Sequence, residues 1–297
     1  MRNAMLADLA SLEDVAVTCA VAGTSDPRLP PGVHVSCRPR ECSPPEYLRQ
    51  EARRHDLVWV VAPETGGLLS CLRRAVADRQ WLGCSSEAIE LAASKRATRR
   101  CLQAAGVATP GGSDSDDSSS DGGAWVVKPD DGCGACEVRR HGSLAGALAD
   151  RDERLRRHQQ ATVERWVYGE PLSITLLCSA DRVEVLSLNR QRIQVGQDGR
   201  LAFDGVDIGP VPGERRDQLV AIARRICCAL PGLAGIVGVD LVWHPARGPV
   251  VIEVNPRLTC AYEGLSARLN RNLAGEVVAR HLRTWPVISA ARAASAA

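Results

Sequence analysis

Lys95 and Lys128 are the only two lysines in a chain of 297 residues. Its lysines and arginines number 37 together, so the other 35 are arginine. On a solvated surface the two residue types are interchangeable. They part where a compact ammonium must reach one oxygen of a phosphate without imposing a planar fork. Lysines kept in so arginine-rich a sequence are either candidates for specific chemistry or compositional leftovers, and their surroundings decide. Lys128 ends the apolar run "AWVVKP" and leads into "DDGCG", where Gly132 and Gly134 let backbone N–H groups approach an anion. Lys95 lies in "SSEAIELAASKRATRRCLQAAGVATP" (85–110), which reads as two helices. Ser85 or Ser86 caps the first, with Glu87 in its opening turn, and Gly106 and Pro110 stop the second.

A second constellation lies in "GVDLVWHPARGPVVIEVNPR", two apolar strands around "PARG". With Ala246 and Arg247 as the centre of a two-residue turn, Asp240 faces Glu253 across an antiparallel pair, their Cβ atoms roughly 4.5–5.5 Å apart. Glu253 and Asn255, two residues apart on one strand, share its face. Two carboxylates and an amide oxygen then converge, and like charges so placed call for a cation between them. Hard oxygen donors suit Mg²⁺ or Mn²⁺, with water and a substrate phosphate filling the other positions. The alternative is a solvated sheet face carrying both acids outward, and a one-residue slip of register would produce it. Lysine, glycine loop and metal trio together indicate a nucleoside triphosphate.

The elements that must carry these groups follow from periodicity. "VAVTCAVAG" (15–23) and "DLVWVVAPE" (56–64) are apolar runs separated by "PPEYLRQEARRHD", of helical composition, and followed by the amphipathic "GGLLSCLRRAVADRQ". Strands alternating with helices predict a parallel α/β domain over about 1–90, without the glycine fingerprint of a dinucleotide site. Past the polar stretch "GGSDSDDSSSDGG" (111–123), read as a mobile insertion, come mostly strands: "ATVERWV", "LSITLLC", "RVEVLSLNRQRIQV" and "RLAF". The helix "GERRDQLVAIARRICCAL" (213–230) then precedes the acidic hairpin, with Cys227 and Cys228 read as core filler.

Composition narrows the function classes. A net charge of +2 with scattered arginines gives no nucleic-acid footprint, and 6 Trp, 3 Tyr and 1 Phe are too few for a base-stacking surface. No stretch approaches the roughly 18 apolar residues of a membrane span. The first segment carries Asp8, Glu13 and Asp14 where an export signal needs a basic start. The 12 cysteines therefore read as reduced thiols of a cytoplasmic protein. Cys133 and Cys136 form a C-x-x-C with no second pair to complete a zinc site, and three acidic or glycine neighbours argue against a reactive thiolate.

In order and combination these motifs resemble the ATP-grasp superfamily of carboxylate–amine ligases. "ASKRATRRCLQAAGVATP" is similar to the entry helix with the first phosphate lysine, here Lys95. "WVVKPDDGCG" is similar to the second lysine strand and its phosphate-covering loop, here Lys128, Gly132 and Gly134. "VERWVYGEPLSITLL" resembles the hinge that holds adenine by its backbone, at Trp166 and Val167, with Glu164 and Glu170 near the ribose. "VGVDLVWHPARGPVVIEVNPRLT" resembles the metal hairpin, matching Asp240, Glu253 and Asn255. With "VWVVAPETGGLL", "LSLNRQRIQV" and "EVNPRLTCAYEGL", the resemblance narrows to the branch containing tyramine–L-glutamate ligase of methanofuran synthesis. Ser94, where the family more often has Asp, and the insertion at 111–123 depart from the pattern.

The resemblance implies an N-terminal α/β pre-ATP-grasp domain (1–90) and a two-lobed α+β ATP-grasp fold, with a small lobe (91–168), a C-terminal lobe (169–285) and a tail (286–297). It implies ATP and Mg²⁺ or Mn²⁺ as cofactors, and an acylphosphate formed from a carboxylate and attacked by an amine. Arg257 would stabilise the developing charge. Glu64, Asn189, Gln191 and Arg192 would line the acceptor pocket, where an arginine suits the α-carboxylate of an amino acid. The expected partners are small molecules, L-glutamate and tyramine, with no nucleic acid and no membrane; a homodimer is left open. A ligase of two other small substrates, such as amino acids, and a nucleotide-binding regulator without turnover also stay open at this stage.

Overall fold

A computed structural model describes residues 1–22, 28–113, 123–132 and 134–284. Cys133, most of the polar insertion and the tail lie outside the described residues. The chain begins with α1 (Arg2–Ala10), β1 (Val17–Ala22), β2 (Val33–Arg38), α2 (Pro44–Ala52) and α3 (Leu68–Arg74). It continues with α4 (Ser86–Ala93), α5 (Lys95–Ala104), β3 (Trp125–Pro129), β4 (Arg139–His141), α6 (Leu144–Arg156), β5 (Ala161–Arg165) and β6 (Glu170–Cys178). The last elements are β7 (Val183–Val195), β8 (Leu201–Gly209), α7 (Gly213–Ala229), β9 (Gly235–His244), β10 (Gly248–Asn255), α8 (Leu265–Leu269) and α9 (Leu273–Thr284). Among the described residues no helix is long and apolar enough to cross a membrane.

Two compact units form. One takes Met1–Val61, Leu69–Gly83 and the residues from Thr259 onward. Its sheet is parallel, as the alternation of strands and helices predicts, with β1 and β2 in register from Val17–Val33 to Ala22–Arg38. The apolar run 56–64 is not a full strand. It makes one bridge, Val58 to Trp81, with Val58 N–H bonded to the Gln80 carbonyl at 2.7 Å. Strand β2, half exposed and carrying His34 and Arg38, lacks the apolar run that would have announced it. Asp8 of α1 accepts hydrogen bonds from Tyr262 Oη and Ser266 Oγ, the latter at 2.6 Å, tying α1 to the C-terminal segment.

The other unit takes Ala62–Leu68 and Cys84–Leu258. It holds a five-stranded antiparallel sheet, order β10-β9-β6-β7-β8, and a three-stranded sheet, order β4-β3-β5. Strict alternation along β6 and β9 places Leu172, Ile174, Leu176, Val237, Val239 and Leu241 on one face, all buried. Helix α7 covers that face, where Cys178 Sγ lies 3.8 Å from Cys227 Sγ. Cys227 thus packs as expected, whereas Cys228 is exposed and is not core filler. The small sheet buries Trp125, Val127 and Val163 against Ala147 of α6.

Main-chain hydrogen bonds join the two sheets. At the tip of the β7–β8 hairpin the Gly199 carbonyl accepts from Arg140 N–H at 2.7 Å, and Leu201 N–H donates to the Val138 carbonyl at 2.9 Å. Gly199 has φ +80°, and a Cβ there would run into the Arg140 carbonyl, so the junction depends on glycine.

Candidate active site

The polar face of the five-stranded sheet is built from directly opposed residues. Glu253, Asp240, Ser173 and Asn189 form one row across β10, β9, β6 and β7. Asn255, Gly238, Thr175 and Ser187 form the next. Asp240 does face Glu253, but not through the expected two-residue turn. Pro245–Arg247 is a three-residue turn, in which His244 Nδ1 accepts from the N–H groups of Ala246 (3.1 Å) and Arg247 (3.2 Å), with Gly248 at φ +70°. Near the turn Val251 faces Leu241, a register that alone would bring Ile252 opposite Asp240. A β-bulge at Ile252 restores the convergence of the acids. It also leaves the Ile252 carbonyl outside the ladder, where Lys128 Nζ donates to it at 3.4 Å.

Asp240 accepts from Gln191 Nε2 at 2.9 Å and from Asn255 Nδ2 at 3.2 Å. The second bond leaves the amide oxygen of Asn255, the hard donor, out of the interaction. Burial and the facing Glu253 carboxylate push the Asp240 carboxyl up to about 7, against the opposing pull of its two amide donors and Arg257. A pair of carboxylates held together at this cost fits a divalent cation. The set is two carboxylates and an amide, and among the described residues no group of three His, Cys, Asp or Glu forms a richer one.

Both lysines reach this region. Lys95 is the first residue of α5, whose N-cap is Ser94. The Ser94 side chain accepts from Ala97 N–H at 3.2 Å and donates to Asp130 at 2.7 Å. The departure from the family's Asp is therefore compensated locally: serine caps the helix and Asp130 brings the carboxylate. Lys95 Nζ lies 3.1 Å from Glu253 Oε1 and donates to the Gly132 carbonyl. Lys128 Nζ lies 2.7 Å from Glu164 Oε2, both side chains about 5% exposed. Lys95, Glu164, Ile252 and Glu253 line one narrow cleft.

The loop after Lys128 is held by clips from outside it. Asp130 takes the N–H of Arg96 at 3.0 Å, and the Asp130 carbonyl accepts from Lys95 N–H at 3.1 Å. Asp131 accepts from Gly66 N–H at 2.9 Å, and its carbonyl from Thr65 Oγ1 at 3.2 Å. Beyond Gly134 (φ +65°), Ala135 and Glu137 also take positive φ. Beside Gly66, Glu64 is gripped by Arg257 in a two-point fork, Nε to Oε1 at 2.9 Å and an Nη to Oε2 at 3.0 Å.

The remaining residues singled out in the sequence fall in different places. Glu164 sits on Lys128 rather than standing alone. Glu170 accepts from Arg190 at 2.6 Å and Arg215 at 3.1 Å. Trp166 and Tyr168 pack edge to face, centroids 6.4 Å apart, with the Arg140 guanidinium over both rings. Gln191 is bound to Asp240, and Asn189 is fully buried, donating to Ser173 Oγ and Thr175 Oγ1. Arg192, half exposed, pairs with Asp207 and the Asp204 carbonyl. Ser94, Asp130, Asp131, Thr65 and Gly66 were missed as parts of the site, because each acts on a segment far away in sequence. The "KPDDG" acids directly after the lysine were the available signal.

Two antiparallel sheets, a lysine strand running into a glycine loop and an acidic hairpin define a class. The chain belongs to the ATP-grasp family: residues 92–261 match its ATP-grasp domain and residues 17–89 the pre ATP-grasp 3 domain. It is similar to the tyramine–L-glutamate ligase of Methanocaldococcus jannaschii, 30% identical over 212 residues, 71% of this chain and 58% of that one. The same enzyme of Methanocaldococcus fervens is 29% identical over 71% of this chain and 61% of its own length. The chain thus spans about three fifths of those relatives. In fold it resembles an L-amino acid ligase from Bacillus licheniformis, with TM-score 0.71 and 20% identity over 94% of this chain and 71% of that one.

Proposed function

We propose that this chain is an ATP-dependent carboxylate–amine ligase that forms an amide through an acylphosphate and releases ADP and phosphate. The observation that carries the reading is the position of Lys95, between the Gly132 carbonyl of the glycine loop and Glu253 of the acidic hairpin. That juxtaposition puts phosphate-seeking and metal-seeking groups within one ammonium's reach. We read L-glutamate and tyramine as the substrates, in methanofuran-type cofactor synthesis in the cytoplasm.

In this reading Lys95, Lys128 and the N–H groups around Gly132 and Gly134 hold the phosphates. The backbone at Trp166 and Val167 holds adenine, and Glu170 the ribose. Asp240, Glu253 and Asn255 would hold Mg²⁺ or Mn²⁺, which when bound neutralises charge on the transferring phosphoryl group. A carboxylate oxygen of the acid attacks the γ-phosphorus and ADP leaves. The amine nitrogen then attacks the acyl carbon, phosphate leaves, and the amine gives up a proton. Phosphoryl transfer asks for positioning more than covalent help. Arg257, already shaped as a two-point carboxylate fork around Glu64, is the group to hold the acid or its acylphosphate. Glu64, Asn189, Gln191 and Arg192 are assigned to the acceptor side, Gln191 acting through Asp240.

The test is mass spectrometry of purified protein incubated with ATP, Mg²⁺ or Mn²⁺, L-glutamate and tyramine. The expected result is a glutamyl–tyramine adduct matched one to one by ADP. ADP with no adduct would contradict the substrates and keep the ligase; neither product, with any acid and amine tried, would contradict the activity.

A further inference from the structure

The two lysines are not held alike. Lys128 is neutralised by Glu164, a residue outside the metal trio, whereas Lys95 is neutralised by Glu253, a member of it. The Lys95 and Glu253 side chains are 6% and 18% exposed, so their ion pair is largely shielded from water and from salt. Glu253 in turn faces Asp240, and the Lys95 ammonium sits on Glu253.

From this asymmetry we infer that Lys95 is an exchange latch that makes binding of a divalent cation and of the nucleotide's triphosphate depend on each other. The inference rests on the proposed nucleotide and metal site. While Lys95 holds Glu253, a free divalent cation must displace an ammonium to gain its ligand. A metal-free nucleotide that draws Lys95 onto its phosphates strips Glu253 of its ammonium partner and leaves it facing Asp240. The metal–nucleotide complex does both exchanges at once: cation onto the carboxylates, ammonium onto phosphate. No such exchange is built into Lys128, whose partner has no part in the metal trio.

Binding of Mn²⁺ to the full chain, followed by electron paramagnetic resonance without nucleotide, tests this. So does a titration with a non-hydrolysable ATP analogue, with and without Mn²⁺. The wild type is expected to bind Mn²⁺ weakly alone and about tenfold or more tightly with the analogue, in the ordinary range of site-to-site coupling. Lys95→Met should tighten Mn²⁺ alone by about tenfold and lose most of the coupling. Lys128→Met, which removes the same charge beside Glu164 and the Ile252 carbonyl, should change Mn²⁺ affinity by no more than about threefold. Lys95→Gln retains a donor for the Gly132 carbonyl and serves if the methionine variant does not fold. Equal tightening in the Lys95 and Lys128 variants would reduce the effect to bulk charge and overturn the latch. So would independent binding of Mn²⁺ and analogue to the wild type. A wild type that binds neither would instead overturn the site reading beneath it.

Discussion

The acidic hairpin and the glycine loop do complementary work on different supports. Asp240, Glu253 and Asn255 sit on paired strands, where ladder hydrogen bonds and a bulge set their backbone and two amide donors from the sheet hold Asp240. The loop from Asp130 to Val138 has almost no ladder of its own. It is held by Lys95, Ser94, Thr65 and Gly66 from elsewhere and, at its far end, by the β7–β8 hairpin tip. A metal set needs fixed distances, which strands supply. A phosphate-covering loop must admit and release a nucleotide, which clips allow. On the proposed reading, the metal side thus has ladder support and the phosphate side is held by clips.

The largest expected effect lies on the rigid side. Asp240→Asn or Glu253→Gln should lower turnover by about a thousandfold, the several kcal/mol that cation stabilisation of a phosphoryl transfer supplies. In Asp240→Asn the metal-free fold should not weaken, because a like-charge contact is relieved, whereas Glu253→Gln strands the buried Lys95 ammonium and should lose stability; melting curves at about pH 8 check this. Lys128→Met should also abolish turnover, and it strands the buried Glu164 carboxylate. We expect a stability loss of about 3–5 kcal/mol, largely recovered by adding Glu164→Gln, as read by denaturant titration.

On the clipped side effects should be smaller and fall on binding. Asp131→Ala, which releases Gly66, should raise KM for ATP by about tenfold with kcat less affected, since the loop is misplaced rather than removed. An effect as large as that of Glu253→Gln would erase the distinction between the two supports. The smallest signal is in pH. The folded Asp240 carboxyl, near 7 against an ordinary 3.8, keeps its proton where the unfolded chain loses it. Metal-free stability should therefore fall as pH rises from about 4 to about 7, and Asp240→Asn should flatten that slope.

Much of this was legible in the residues. Alternation placed Asp240, Glu253 and Asn255 on one face, and the two lysines pointed to the region that lies beside them. What escaped was what acts at a distance. The Ile252 bulge cannot be read from "GPVVIEVN", and a wrong turn with a regular ladder gave the same Asp240–Glu253 pairing by coincidence. The run 56–64 looks like a strand locally but makes only the one bridge, at Val58, because among the described residues no neighbouring strand lies along the rest of it. Alternation did put Gln191 and Arg192 on opposite faces of β7, one reaching Asp240 and the other Asp207, but not the extra β8 residue opposite them.

The most direct measurement follows oxygen. L-Glutamate labelled with ¹⁸O in both carboxylates, turned over with ATP, Mg²⁺ and tyramine, should deliver one labelled oxygen to each phosphate released, because the activated carboxylate attacks the γ-phosphorus. Phosphate free of label, with amide formed and ADP released, would contradict activation by phosphorylation.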